Sequence, residues 1–385
     1  MAERGVPRLT EAVIPPSVLS GAVAVGRREG HPVGHWFSGT GLDPTDLATS
    51  GSMRVSYRQA AVVLRRAVRM MPDGPLGLRV GCRDTLLSFG MLGVAMRSCA
   101  TAADALAVAR ELHQAAGSLL DLDVETFGGE TALRLHELRP DSELIVFLCE
   151  EALSSTLMFI RAMLGAAWSP VRVELAYPAP RYVQEYHRLF RCPLRFDAGA
   201  NRLVFPTAVL TRPLPTHHEP TRAVAVETCR RLLDADEGRP DLVASVETMI
   251  GRDLRARITM AETARRLRIT ERTLRRRLTA AGERYSAIRD RVRRRRAVAL
   301  LRDPMLTIEA VAHRIGFSDA REFRRAYLRW TGEPPSMIRR RPDRRGVEFD
   351  EPRHEGAAPV SEPRTPAGES SSTTAILARG RESGS

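Results

Sequence analysis

The chain has 385 residues and a net charge of +13; 43% of its residues are hydrophobic and 5% are aromatic. This length and apolar content are sufficient for two or three domains with cores of their own. No apolar run is long enough to span a membrane, and the first residues lack the pattern of a signal peptide. Five scattered cysteines without a CxxC pair are typical of reduced thiols, so we expect a cytoplasmic protein without a membrane partner.

The positive charge is concentrated in one segment. Residues 252–345 contain 28 arginines and 11 acidic residues, an excess of 17 positive charges, whereas the rest of the chain contains 31 arginines and 35 acidic residues. The chain has no lysine, which a GC-rich genome explains without any functional cause. Such clustering indicates a polyanionic partner.

The first 210 residues show the periodicities of both helices and strands. Apolar spacing predicts helices over residues 56–70, 84–97, 101–117 and 143–165. Alternating residues predict strands over 119–127 and 131–138, and the Gly128-Gly129 pair between them predicts a hairpin. Later elements are a helix at 180–190 between strands at 171–177 and 202–205. The pattern predicts an α+β domain with a small, mainly antiparallel sheet.

Common catalytic and metal-binding motifs are absent from this part of the sequence. It contains no GxSxG, HExxH, GxxxxGK or CxxC motif, so we expect no enzyme activity, no catalytic residue and no cofactor. The pairs His31/His35 and His217/His218 lack accompanying cysteines or carboxylates, and we therefore expect no metal site. Cys192 is predicted to be a buried small side chain rather than a nucleophile.

A proline-containing connector follows, with a predicted helix at 221–235. One face of this helix carries Val224, Thr228 and Leu232, which favours either dimer contact or interdomain packing.

Residues 313–330, HRIGFSDAREFRRAYLRW, combine an apolar stripe with many arginines. Ser318 and Asp319 suit a helix start, and Gly316 suits a turn before it. The stripe and the opposite cationic face predict the second helix of a helix-turn-helix. The alternative is a solvated basic helix. The stripe consists of Phe323, Ala326, Tyr327 and Trp330, and the cationic face of Arg321, Arg324 and Arg325.

The same pattern occurs twice. Residues 260–278 align with 308–327 at an offset of 48 through the first helix and turn, and of 49 afterwards, because the second turn is one residue longer. The helix between the repeats, 283–301, carries Arg293 to Arg296, and these cannot all face one partner. Two such units on one helix would enter successive major grooves about 34 Å apart, which predicts an asymmetric DNA site.

The repeat resembles the DNA-binding domain of AraC/XylS-family transcriptional regulators over residues 261–339. The matching segments are ITERTLRRRL, RRRRAVALLRDP and IEAVAHRIGFSDAREFRRAYLRWTGEPPSMIR. The resemblance implies an all-α double helix-turn-helix domain with a buried core. The implied core consists of Ala264, Leu267, Leu274, Leu278, Ala312, Ile315, Phe317, Phe323, Tyr327 and Trp330.

The resemblance also implies which residues face DNA. We expect Arg272 and Arg321 to contact bases and Arg276 and Arg325 to contact phosphates. Arg268 stands where the family commonly has glycine, so it must adopt a left-handed conformation or shift the turn. The full implied set is Thr270, Arg272, Thr273, Arg275, Arg276, Ser318, Ala320, Arg321, Arg324 and Arg325.

Residues 40–210 resemble the arabinose-binding-type sensor domain found in one branch of this family. The segments are LGLRVG, FGMLGVAMRSCATAADAL and YHRLFRCPLRFDAGANRLVFP. We therefore expect four parts in the chain: an effector-sensing and oligomerisation domain, a linker with a connecting helix, the double helix-turn-helix domain and a disordered tail. Their residues are 1–210, 211–240, 241–341 and 342–385.

The expected function is that of a sequence-specific transcriptional regulator controlled by a small-molecule effector. Its expected partners are double-stranded promoter or operator DNA, an unidentified effector, a second copy of the chain in a homodimer, and RNA polymerase if it is an activator. The alternative from another class is an architectural protein that binds DNA through charge alone. A methyl-accepting repair protein would need a cysteine in a PCHR-type setting, and none is present.

Overall fold

A computed structural model describes residues 9–49, 53–234, 239–256 and 258–340. The predicted tail lies outside the described residues. The helices before residue 235 are α1 Ser17–Arg28, α2 Asp46–Thr49, α3 Tyr57–Met70, α4 Leu76–Gly81, α5 Thr85–Arg97, α6 Ala102–Leu112, α7 Ile145–Leu164, α8 Val183–Phe190 and α9 Glu219–Asp234. Those that follow are α10 Asp241–Arg252, α11 Met260–Arg266, α12 Glu271–Ala280, α13 Tyr285–Leu301, α14 Ile308–Arg314, α15 Ala320–Thr331 and α16 Pro335–Arg340. Short 3-10 helices occupy Val33–Phe37, His113–Ala116 and Thr207–Thr211.

The sheet has the strand order β1-β2-β5-β3-β4. All neighbouring strands are antiparallel except β3 and β4. The β1–β2 hairpin turns at Gly128 and Gly129, and both glycines have positive φ angles, as a tight hairpin turn requires. The strands are β1 Leu120–Phe127, β2 Glu130–Glu137, β3 Arg172–Glu174, β4 Leu194–Arg195 and β5 Asn201–Pro206. The prediction of an α+β part with a small, mainly antiparallel sheet is confirmed.

Local capping fixes where two of the predicted helices begin. Ser56 caps α3, and Thr101 caps α6, each in a capping box closed by the side chain three residues later. Helix α5 is kinked at Gly90, whose φ of 52° lies outside the helical region. The predicted helix over 101–117 ends as an α-helix at Leu112 and continues as a 3-10 turn.

Three hydrophobic clusters hold these elements together. The first joins α1, α3, α4 and α7 to the sheet, and the second lies among the helices after residue 240. The third joins α5 and α6 to α9 through Ala225, Val226 and Cys229. The face predicted for dimer contact or interdomain packing lies outside this cluster: Val224 is 67% exposed, and Thr228 and Leu232 are half-buried.

Helix α7 carries a glutamate into the first cluster. Glu150 is buried and accepts a hydrogen bond from the Tyr186 hydroxyl at 2.6 Å. The Tyr177 hydroxyl lies 3.2 Å from that of Tyr186. Desolvation outweighs these hydrogen bonds and raises the pKa of Glu150 to about 7. This carboxyl group is therefore protonated in the folded state at pH values where it would ionise in the unfolded chain.

We predict that Glu150 makes the protein less stable as the pH rises from about 4.5 to about 7. The folded state binds more protons than the unfolded state in this window, so its free-energy advantage falls by on the order of 2 kcal/mol. Chemical unfolding at several pH values should show a flatter dependence in Glu150→Gln, whatever its absolute stability. Replacing the exposed Glu185 by Gln should leave the slope as in the wild type; an equal slope in Glu150→Gln would contradict the prediction.

Candidate nucleic-acid interface

The first helix-turn-helix unit consists of α11 and α12. Thr259 caps α11 by accepting a hydrogen bond from the Glu262 amide, and Thr270 caps α12 by accepting one from the Thr273 amide. The turn is closed by a hydrogen bond of 3.0 Å from the Ile269 amide to the Ala264 carbonyl.

The second unit, α14 and α15, repeats this geometry. Thr307 caps α14, and the Phe317 amide donates to the Ala312 carbonyl at 3.0 Å, each at an offset of 48 from its counterpart. Asp319 caps α15, at an offset of 49 from Thr270. Helix α15 thus begins one residue later than Ser318, whose hydroxyl donates to the Glu322 carboxylate at 2.9 Å. The backbone reproduces the sequence repeat, including the extra residue in the second turn.

Both units share one core. Phe317 packs at 5.7 Å from Phe323 and 5.8 Å from Trp330, measured between ring centroids. Trp330 is half-buried. The remaining expected core residues are buried: Ala264, Leu267, Leu274, Leu278, Ala312, Ile315, Phe317, Phe323 and Tyr327. Ala264 and Ala312 are buried, and the carbonyl group of each accepts the hydrogen bond that closes the turn of its unit.

Helix α13 connects the two units, and most of its arginines have partners within the protein. Arg293 is buried, and its guanidinium lies 5.0 Å from the centre of the Phe317 ring. Arg291 and Arg295 form ion pairs with Glu247 of α10, and Arg294 donates to the Trp330 carbonyl. The arginine run therefore fixes α13 against α10 and the second unit, a role that its sequence gave no means to assign.

The arginines of α12 and α15 are exposed. Arg275 pairs with Glu271 at 2.7 Å, so part of its charge is neutralised within the helix. Thr273 and Ala320 are half-buried, whereas Thr270 and Ser318 are exposed. Within the described residues, no acidic side chain forms an ion pair with the other exposed arginines of these helices that were expected at DNA, namely Arg272, Arg276, Arg321, Arg324 and Arg325. Each of the two helices therefore offers unneutralised cationic groups to a polyanion.

The sequence gave no indication of a polar junction between α10 and the N-terminal part. Asp241 is 4% exposed and accepts hydrogen bonds from Arg58 Nη2 at 2.6 Å and from the Ser56 hydroxyl at 3.0 Å. One turn later, the Gln59 side chain donates to the Ser245 hydroxyl at 2.9 Å. These partners are more than 180 residues apart in the chain, so no local pattern could have paired them.

Two further contacts extend this junction, which we call the α10 junction. At the end of α10, Arg252 donates to the Asp46 carboxylate at 2.9 Å. A Cβ atom at Gly41 would lie 2.7 Å from Ser245 and 2.8 Å from Leu267 of the first helix-turn-helix unit. The N-terminal part therefore contacts both α10 and the first unit.

Catalytic and metal chemistry have little support in the described residues. No group of three or more His, Cys, Asp or Glu side chains among them could hold a metal ion, and no helix among them could span a membrane. Cys192 is half-buried, and burial raises the pKa of its thiol to about 11, which disfavours the nucleophilic thiolate. Cys82, by contrast, is exposed.

Comparison with known families agrees with this geometry. Residues 30–214 match the family described as the arabinose-binding domain of AraC transcription regulators, and residues 263–341 match a helix-turn-helix domain family. The two parts together define a DNA-binding transcriptional regulator with an effector-binding domain. Both parts of the chain thus match families of the AraC type of helix-turn-helix regulators, which confirms the resemblance found in the sequence.

Similar proteins are regulators as well. An uncharacterised helix-turn-helix-type transcriptional regulator of Mycobacterium tuberculosis is 27% identical over 321 residues, covering 82% of this chain and 93% of the relative. The ornithine utilization regulator of Pseudomonas aeruginosa is 27% identical over 297 residues, covering 77% of this chain and 88% of the relative. The crystal structure of the transcriptional regulator CdpR from Pseudomonas aeruginosa is 26% identical over 72% of this chain and 91% of that chain, with a TM-score of 0.37.

Arg268 of the first turn and Gly316 of the second are equivalent positions, and the difference between them predicts opposite effects of substitution. Arg268 has a φ of 56°, the left-handed conformation expected for it, which costs a residue with a Cβ atom about 1–2 kcal/mol. We predict that Arg268→Gly raises the free energy of unfolding by about 1 kcal/mol.

The matched variant is Gly316→Ala, in the second turn. Gly316 has a φ of 85°, and a Cβ there would lie 2.1 Å from the Leu254 carbonyl oxygen. We expect the free energy of unfolding of this variant to be more than about 2 kcal/mol below that of the wild type. Thermal unfolding of both variants measures the difference between them. A loss of stability in Arg268→Gly would show that the arginine side chain contributes more than its backbone strain costs.

Proposed function

We propose that the protein binds promoter or operator DNA sequence-specifically through both helix-turn-helix units, under the control of a small-molecule effector. The main support for this proposal is the duplicated geometry of α12 and α15, which have equivalent caps and turns and unneutralised arginines. One unit alone would be compatible with a solvated basic helix. Two equivalent units joined by one helix favour entry into successive major grooves.

Within this proposal, the exposed arginines have two different roles. Arg272 and Arg321 lie near the helix starts, where side chains reach base edges, and each would donate to guanine O6 and N7. Arg276 and Arg325 would contact phosphates, together with the backbone amides near Thr270 and Ser318. Arg324 would act beside them. Arg275 would contribute less, since Glu271 already pairs with it.

The domain organisation follows the same division. We propose residues 1–210 as the effector-sensing and oligomerisation domain, 211–240 as the linker with the connecting helix, and 241–341 as the DNA-binding domain. We also propose a homodimer whose contact uses the face of α9 with Val224, Thr228 and Leu232, of which Val224 is exposed to a partner. RNA polymerase is a further proposed partner, in the cytoplasm, if the regulator activates transcription.

Footprinting on the DNA upstream of the protein's own gene tests the proposal first. At near-physiological salt, we expect protection of an asymmetric stretch that spans about two helical turns for each copy of the chain. Uniform protection along the DNA, with no defined site and with loss at modestly higher salt, would instead support the architectural alternative. In that alternative, binding depends on the charge of the DNA backbone alone.

The protected site then allows base contacts to be separated from phosphate contacts. We predict that Arg272→Ala and Arg321→Ala each weaken binding to this site by about ten- to a hundredfold and change binding to random DNA far less. The control is Arg188→Ala, which removes an exposed positive charge from the N-terminal part. Equal losses on both DNAs would assign these arginines to phosphate and favour the alternative.

Effector control makes a separate prediction. An effector regulates DNA binding only if its affinity differs between the free and the DNA-bound protein, and the two affinities change each other by the same factor. We expect titration of the effector with and without the protected DNA to give different dissociation constants. Identical constants would remove effector control while leaving sequence-specific binding intact.

A further inference from the structure

A cavity of about 140 Å³ lies inside the N-terminal part, between α5, α6, α7 and the sheet. Most of its wall is apolar, with aromatic rings from Phe89, Phe159, Trp168 and Phe205. A dry apolar cavity of similar volume, roughly 150 Å³, accommodates benzene in another protein. This cavity therefore has the size and the surface for one ring with a short substituent.

One wall carries a hydroxyl group without a partner. Ser88 of α5 lines the cavity and is only 9% exposed, and its hydroxyl has no hydrogen-bond partner among the described residues. A buried polar group of this kind costs free energy unless something satisfies it. A ligand with a polar head would satisfy it.

The part of the wall that α7 forms carries a carboxyl group. Glu151 of α7 lines the cavity one turn before Ser155 and two turns before Phe159, which line it too. No hydrogen bond or ion pair reaches its carboxylate from the described residues. Arg83 attracts it from a distance, but Arg83 donates to the carbonyls of Val80 and Ser17. Glu151 is half-buried, and desolvation outweighs the attraction of Arg83 and raises the pKa of its carboxyl group to about 7.

We propose that this cavity is the effector site and that its ligand is a ring-sized apolar amine, with the amine donating hydrogen bonds to Glu151 and Ser88. This inference rests on the proposed effector control and names the class of effector. An ammonium group supplies hydrogen-bond donors for both groups and places a positive charge in direct contact with the Glu151 carboxylate. A carboxylate head would instead meet a like charge, and a sugar would leave most of its hydroxyl groups without partners against the apolar wall.

Three probes of the same ring and nearly the same size separate the head groups: benzylamine, benzyl alcohol and benzoate. Calorimetric titration of the full chain should give the tightest binding for benzylamine, weaker binding for benzyl alcohol and weaker still for benzoate. The dissociation constants of benzylamine and benzoate should differ by at least roughly tenfold. Equal affinities for all three would overturn the assigned class. Absence of binding for all three would overturn the cavity as the site.

Substitutions at the two polar groups locate the bound amine. Glu151→Gln keeps the size of the side chain. We expect it to lower the affinity for benzylamine roughly tenfold, to the affinity for benzyl alcohol. Ser88→Ala should have a smaller effect in the same direction. The matched control is Glu185→Gln, on the surface of α8, which should bind benzylamine as the wild type does. Unchanged binding in Glu151→Gln would place the amine elsewhere and contradict the proposal.

A filled cavity provides an independent check. Ala109→Phe on α6 would occupy the space of the ring, and we expect it to abolish binding of all three probes while the circular dichroism spectrum remains that of a folded protein. If this variant unfolds, Glu151→Gln and Ser88→Ala still decide. Footprinting the same preparations distinguishes the two levels of inference. DNA protection without benzylamine binding overturns only the effector class, whereas benzylamine binding without DNA protection overturns the proposed function and leaves the site.

Discussion

Helix α5 is packed on two sides, and this constraint connects the interior of the N-terminal part to the connecting helix. Ser88 and Phe89 of α5 line the cavity, Ala95 belongs to the cluster shared with α9, and Leu92 and Met96 belong to both. Protein interiors are close-packed and transmit small displacements rather than absorbing them. Helix α5 is therefore in contact with both the cavity and α9.

The far end of α5 strengthens this connection through backbone hydrogen bonds. The Leu214 amide donates to the Ala100 carbonyl and the His218 amide to the Ser98 carbonyl, so the chain that enters α9 is fixed to the end of α5. Cluster packing and backbone hydrogen bonding thus act on the same pair of helices. The kink at Gly90 lies between Phe89 and Leu92, which both line the cavity.

The α10 junction forms the second connection between the N-terminal part and the DNA-binding helices. Its contacts are directional hydrogen bonds to charged groups, at Asp241 with Arg58 and at Arg252 with Asp46, so they tolerate little displacement. Helix α10 is in turn paired with α13 through Glu247, and α13 packs under the second unit through Arg293 and Phe317. The spacing of the two recognition helices is thus set by charges buried behind them. The exposed arginines of α12 and α15 remain accessible to a polyanionic partner.

The sequence by itself determined the features that depend on neighbouring residues. The 48-residue repeat predicted two helix-turn-helix units, Gly128 and Gly129 predicted the hairpin, and the loss of a turn glycine predicted the left-handed Arg268. Caps, turns and amphipathic stripes are formed within a few residues, so their signals are local. Even there, the sequence left both Ser318 and Asp319 as possible caps of α15, and only the backbone conformation selects Asp319.

Only the tertiary structure decided which groups meet across the chain. It placed Arg293 against Phe317, turned Ala225 and Cys229 of α9 inwards instead of Val224, and joined Asp241 to Arg58. It also enclosed Ser88 and Glu151 in one cavity, although they lie on different helices. Burial and pairing are properties of three-dimensional packing. The type of a charged or polar residue does not reveal whether its side chain is solvated, paired inside the protein or part of a cavity wall.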